Sequence, residues 1–217
     1  KTRDPALLKD IATFQDPAII PTLIDSMEYS EESFESASVA ATALGEMNAK
    51  QGVDALIKAV TKTLPVKTRA NVVKLESMKA LAKIKDPRSV DALIKVLTTS
   101  ADEQDFFLNR EAALALGNFA DPKAAPALIR GLFLSGRGAN IYQESRMGLV
   151  AIGEPAVPKL IEAMQRKFPE LEEDAKKYEY YPGVVVQKCA DLLGDLRSAK
   201  AVPALLEQLG KPDEGAA

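Results

Sequence analysis

The chain has 217 residues, 47% of them hydrophobic and 27% charged, with a formal net charge of −3. That length and balance suit a single soluble array, and no apolar run approaches the roughly 20 residues that cross a bilayer. Zero histidines and one cysteine exclude an intrachain disulfide framework and a His-activated Ser or Cys nucleophile, and they argue against a His/Cys zinc site.

Read from the N-terminus, one phrase keeps returning: QDPAIIPTLIDSM (15–27), KQGVDALIKAV (50–60), DPRSVDALIKVL (86–97), DPKAAPALIRGL (121–132), GEPAVPKLIEAM (153–164) and SAKAVPALLEQL (198–209). The leading leucines are Leu23, Leu56, Leu93, Leu128, Leu160 and Leu205, separated by 33, 37, 35, 32 and 45 residues. A period of that size is the mark of a helical repeat stacked into a solenoid. An apolar residue stands 12 positions before the leucine in five units (Ile11, Leu44, Leu81, Leu116, Leu193), and Ile152 stands 8 before it in the fifth. Each unit therefore reads as helix A, short turn, helix B. The expected units are 5–29, 33–63, 67–99, 104–134, 140–167 and 182–210, all within one domain spanning 1–217.

The turns carry their own chemistry. Asp16-Pro17, Asp86-Pro87 and Asp121-Pro122 place a capping carboxylate before a ring whose missing N–H is an orphan in any case. A second proline (Pro21, Pro126, Pro158, Pro203) lies early in helix B, which suggests a separate tight turn before the regular helix. Because the aspartate repeats where no single active site has use for every copy, it reads as structural. Four residues before the helix A anchor stand Ala40, Ser77, Ala112, Gly148 and Cys189, all small, against Leu7 in the first unit. Small side chains let neighbouring helices approach, and the first unit has no preceding neighbour. Cys189 accordingly reads as a buried core residue.

These phrases resemble HEAT-like repeats, especially the short bacterial type also found in phycobilin lyases. The resemblance covers nearly the whole chain and implies an all-α α-solenoid, a superhelix of about six HEAT-like hairpins. The fold hosts unrelated functions. It includes hydroxylases whose two irons are held by paired His-Glu motifs, an activity excluded here by the absence of histidine. Related DNA glycosylases use a basic face with aromatic packing. This chain has no Trp and is acidic overall, so nucleic acid is not the expected partner. No catalytic constellation, metal site or cofactor is expected.

Function then falls to surfaces. Two residues beyond each leading leucine lie Asp25, Lys58, Lys95, Arg130, Glu162 and Glu207, a row that is basic at the centre and acidic at both ends. It reads either as a solvated surface row or as a ladder on the concave helix B face suited to an acidic protein or peptide. The connection GLFLSGRGANIY (131–142) carries Phe133, Arg137 and Tyr142 and reads as a flexible loop, with too little glycine pattern for a phosphate loop. The longest connection, QRKFPELEEDAKKYEYYPGVVVQ (165–187), holds Phe168, Tyr178, Tyr180 and Tyr181. Its first half is expected to extend helix B through Lys177, with Pro182-Gly183 closing the insertion (168–181). Whether it covers apolar surface or binds a partner stays open.

The expected partner-binding residues are thus Lys58, Lys95, Arg130, Phe133, Arg137, Tyr142, Tyr178, Tyr180 and Tyr181, on a non-catalytic interaction or scaffold module. The alternative is a lyase-like or chaperone-like subunit acting on a modified protein. Leu206 in the last unit invites self-association or contact with further repeats. The chain begins Lys1-Thr2-Arg3-Asp4, which fits a processed, exported protein or an excised segment, while a soluble cytoplasmic protein is favoured.

Overall fold

The computed structural model describes residues 4–136 and 138–210, with every side chain among them except that of Pro182. Within them the chain forms successive antiparallel hairpins. The first helices of the pairs are α1 (Pro5–Ala12), α3 (Glu35–Glu46), α5 (Asn71–Ile84), α7 (Phe106–Phe119), α9 (Tyr142–Ile152) and α12 (Pro182–Leu196). Their partners are α2 (Ile20–Asp25), α4 (Val53–Thr61), α6 (Val90–Thr98), α8 (Ala125–Gly131), α10 (Val157–Met164) and α13 (Val202–Leu209). One further helix, α11 (Pro169–Lys177), stands between the last two pairs.

Local chemistry explains four of the six reversals. Helices α5, α7 and α12 end on a residue in the left-handed region, Lys85 (φ 54°), Ala120 (φ 51°) and Arg197 (φ 50°), which turns the chain out of the helix. The aspartate that follows then caps the next segment. Asp16, Asp86 and Asp121 accept from the N–H two residues ahead at 2.9, 3.0 and 2.8 Å, and the Ser198 hydroxyl does the same at 3.2 Å. A single 3₁₀ turn comes next, as in Pro87–Ser89, and the regular helix B begins after it. The DP stretch is thus a separate tight turn, as the spacing of the two prolines suggests.

Stacking follows from side-chain size. In one layer α3 packs on α5, α5 on α7 and α7 on α9; in the other α4 packs on α6, α6 on α8 and α8 on α10. The leading leucines Leu56, Leu93, Leu128 and Leu160 are wholly buried between the layers. Ala40, Ser77, Ala112 and Cys189 are buried too, whereas Leu7 is exposed. Close approach is strict at two glycines: a Cβ on Gly45 would lie 2.7 Å from the Ala80 Cα, and one on Gly117 would lie 3.2 Å from that of Gly148. One polar residue also ties hairpin to hairpin. Buried Asn109 on α7 donates through Nδ2 to the carbonyls of Leu97 and Thr99 at 2.9 and 2.7 Å, satisfying the open end of α6.

Two connections differ from their sequence-based expectations. Helix α10 ends at Met164, and the 165–177 stretch does not continue it, because Arg166 takes a left-handed conformation (φ 60°) and Lys167 donates back to the Glu162 carbonyl at 2.8 Å. Phe168 is then extended before Pro169 (φ −98°, ψ 100°). Proline disfavours a helical residue before it and supplies no N–H, so α11 starts afresh at Pro169. The 131–142 connection is not a plain loop: β1 (Ser135–Gly136) pairs antiparallel with β2 (Ala139–Asn140).

Candidate partner-binding groove

The row of cations takes its position from the helices. Lys58, Lys95 and Arg130 each occupy the last turn of their helix, α4, α6 and α8, where the carbonyl end of the helix dipole favours positive charge. The surface beside them is concave. Between α2 and α4 lies a cavity of about 720 Å³ that includes Lys58 and Lys62. A second, of about 360 Å³, lies between the ends of α4 and α6 and is lined by Lys62, Lys74 and Lys95. A third, of about 760 Å³, is bounded by Arg130, Asp174, Lys177, Tyr178 and Tyr180. Thr61 and Lys62 belong to both the first and the second, and Thr99 and Glu103 to both the second and the third, so the three clefts adjoin in a row.

The cations are not equivalent. Lys58 and Glu28 form an ion pair in which both side chains stay largely in solvent, an arrangement that contributes little and leaves Lys58 accessible. Lys95 is exposed. Arg130 departs from the expectation of an open row. It donates from Nε to Asp174 Oδ2 at 2.6 Å and from Nη2 to Oδ1 at 3.0 Å, and this bond is the main cause of its raised pKa. The insertion helix α11 supplies that carboxylate and so takes up the cation.

The aromatic residues divide similarly. Phe133 is only 7% exposed, which removes it from the accessible surface and makes it a floor. Tyr180 packs on it with centroids 5.6 Å apart and donates its hydroxyl to the Phe133 carbonyl at 3.2 Å. Burial pushes the Tyr180 phenol up to about 12. Lys188 of α12 lies 4.9 Å from the Phe133 ring and 4.8 Å from that of Tyr142, and donates to the Leu132 carbonyl at 2.7 Å. Its partial burial lowers its pKa. Tyr178 stacks on Tyr180 at 5.8 Å and remains exposed, as does Tyr181. Arg137 lies outside the described residues.

Of the residues singled out in the sequence, the fold brings together Arg130, Phe133, Tyr142, Tyr178 and Tyr180 around α8, α11 and α12. Lys95 and Lys58 sit one and two clefts away. Sequence reasoning missed Asp174, Lys188, Lys62 and Lys74. Asp174 belongs to a segment with no repeat register, while Lys188 and Lys74 are hidden inside otherwise ordinary first helices. Lys74 does fall on the repeat register, three residues before the small column.

At the far end, α13 exposes Leu206 (63%) and Leu209 (82%), so the apolar pair of the last hairpin meets solvent on that side. Among the described residues no group of three or more Asp, Glu or Cys side chains is placed to hold a metal ion, and no helix is long and apolar enough to cross a membrane.

Paired helices stacked in two layers, with a groove running across successive repeats, define an α-solenoid of the kind that generally mediates protein interactions or serves as a scaffold. The model for HEAT repeats matches residues 20–106 and 67–133, more than half of the chain between them. The chain belongs to the HEAT repeat family. No curated protein matches it significantly.

Proposed function

We propose that this protein is a non-catalytic interaction module that holds an acidic segment of a partner protein along the groove at the ends of α4, α6 and α8. The observation that carries this reading is the row of three adjoining clefts beside accessible Lys58 and Lys95, ending at the exposed face of Tyr178. The lysines steer and orient the segment, and contact area comes from Tyr178 and Tyr181. Phe133 and Tyr180 act beneath the surface by fixing that aromatic face, and Arg130 acts by holding α11 in place.

The test compares partner capture by the wild type, Lys58→Glu/Lys95→Glu, and Lys83→Glu, the last an exposed lysine on α5. The double reversal is expected to lose the partner and its salt dependence while Lys83→Glu keeps both. Capture of the same partner with unchanged salt dependence by the double variant would refute the groove.

A second contact face is carried by α13, whose exposed Leu206 and Leu209 suit another copy of the chain. Sedimentation of the wild type against Leu206→Glu tests it: a concentration-dependent dimer lost in the variant is expected, and identical monomers would refute it.

A further inference from the structure

The second cleft contains a charge that the fold does not neutralise. Lys74 is only 7% exposed, lines the cavity, and makes no hydrogen bond or ion pair among the described residues. Its stem is buried while its ammonium opens onto the cleft, where the low surrounding polarity favours a counter-ion. Desolvation, and next to it the neighbouring charge of Lys95, lower its pKa.

The repeat shows that this lysine is an exception. Three residues before the small column, helix A carries Ala37, Lys74, Asn109, Ser145 and Val186 in successive hairpins. At that position Asn109 reaches back to the carbonyl end of the preceding helix B and satisfies it directly. Lys74 occupies the equivalent place behind α4 but makes none of those bonds, and its longer stem ends in the cleft. Exposed Lys95 lines the same cavity, Lys62 at its edge is held by the Tyr29 carbonyl and ring, and among the described residues the only carboxylate lining it is Glu103. The cavity, of about 360 Å³, has ample room for one small oxyanion.

We propose that the cleft between the second and third hairpins is an oxyanion-binding site in which Lys74, from inside, and Lys95, at the mouth, hold a phosphate or carboxylate group. Ammonium groups converging from separate helices act as point charges around a compact anion, which suits tetrahedral or carboxylate oxygens and requires no bidentate geometry. The site stands whether or not a protein segment lies along the groove.

Thermal denaturation at constant ionic strength, with chloride replaced by inorganic phosphate or by acetate, tests it. The wild type is expected to gain stability saturably, since an anion bound only to the folded state raises its melting temperature. Lys74→Met keeps the buried stem and removes the charge: it should melt higher than the wild type without anion and gain nothing from adding one. Lys95→Gln should bind at least about tenfold more weakly, and Lys83→Met, an exposed lysine outside the cleft, should respond as the wild type does. A response to phosphate alone assigns the site to phosphoryl groups, and an equal response to acetate extends it to carboxylates. No saturable response in the wild type, or the same response in Lys74→Met, overturns the proposal.

Discussion

Arg130 on α8 and Asp174 on α11 are joined by two parallel hydrogen bonds across 44 residues of sequence. This pair fastens the insertion helix to the stack. Asp174 is buried and the Arg130 side chain is 27% exposed, so water replaces the lost bonds poorly when one partner is removed.

Asp174→Asn is therefore expected to cost about 2 kcal/mol in chemical denaturation and to raise amide exchange in 169–177. A double variant, Arg130→Met/Asp174→Leu, should recover part of that loss, because it removes both charges. An α11 as protected in Asp174→Asn as in the wild type would show that the pair is not what holds it.

Cys189 is wholly buried in the small column, and burial pushes its thiol from the ordinary 9.0 up to about 12. Thiolate is the reactive form, so the folded protein should resist alkylation at pH 8 and react at the rate at which it opens. Rapid stoichiometric labelling without denaturant would contradict the burial.

The same shift has a pH consequence. Above about pH 9 the unfolded chain releases the thiol proton while the folded chain keeps it, so stability falls as pH rises from about 9 towards about 12. Tyr29 and Tyr180, raised from 10.0 to about 12 by burial, act in the same direction above about pH 10. Each group contributes at most about 1.4 kcal/mol per pH unit. Cys189→Ala, which repeats the residue found at 40 and 112, should flatten the alkaline limb of the stability profile. A limb of unchanged slope would count against it.

Gly45 faces Ala80 with no room for a side chain. Gly45→Ala should destabilise the stack by about 1–3 kcal/mol through overpacking, read as a lower denaturation midpoint. An unchanged midpoint would mean that α3 and α5 separate freely.

Lys85 and Ala120 hold left-handed conformations that glycine adopts without strain. Lys85→Gly and Ala120→Gly are expected to gain about 0.5–1 kcal/mol each, the relief of strain outweighing the added freedom of the unfolded chain. A loss of stability in both would show that the turns tolerate a side chain at no cost.

The sequence by itself determined the repeat. The leucine register, the Asp-Pro turns and the small column at 40, 77, 112, 148 and 189 specify paired helices, their reversal and their close stacking, because these depend on neighbours a few residues or one period away. The start of α11 was legible in principle too, from the proline at 169, but the end of α10 was not, since Arg166 and not a glycine takes the left-handed turn.

Only the tertiary structure decided which charges are available. Lys58, Lys95 and Arg130 are equivalent in the repeat, yet Arg130 is taken by Asp174 from a segment with no repeat register, and Lys74 is left unpaired inside a cleft. Periodicity reports which face a residue occupies. Its partners come from whatever the fold lays against that face, and a pairing 44 residues apart leaves no periodic trace.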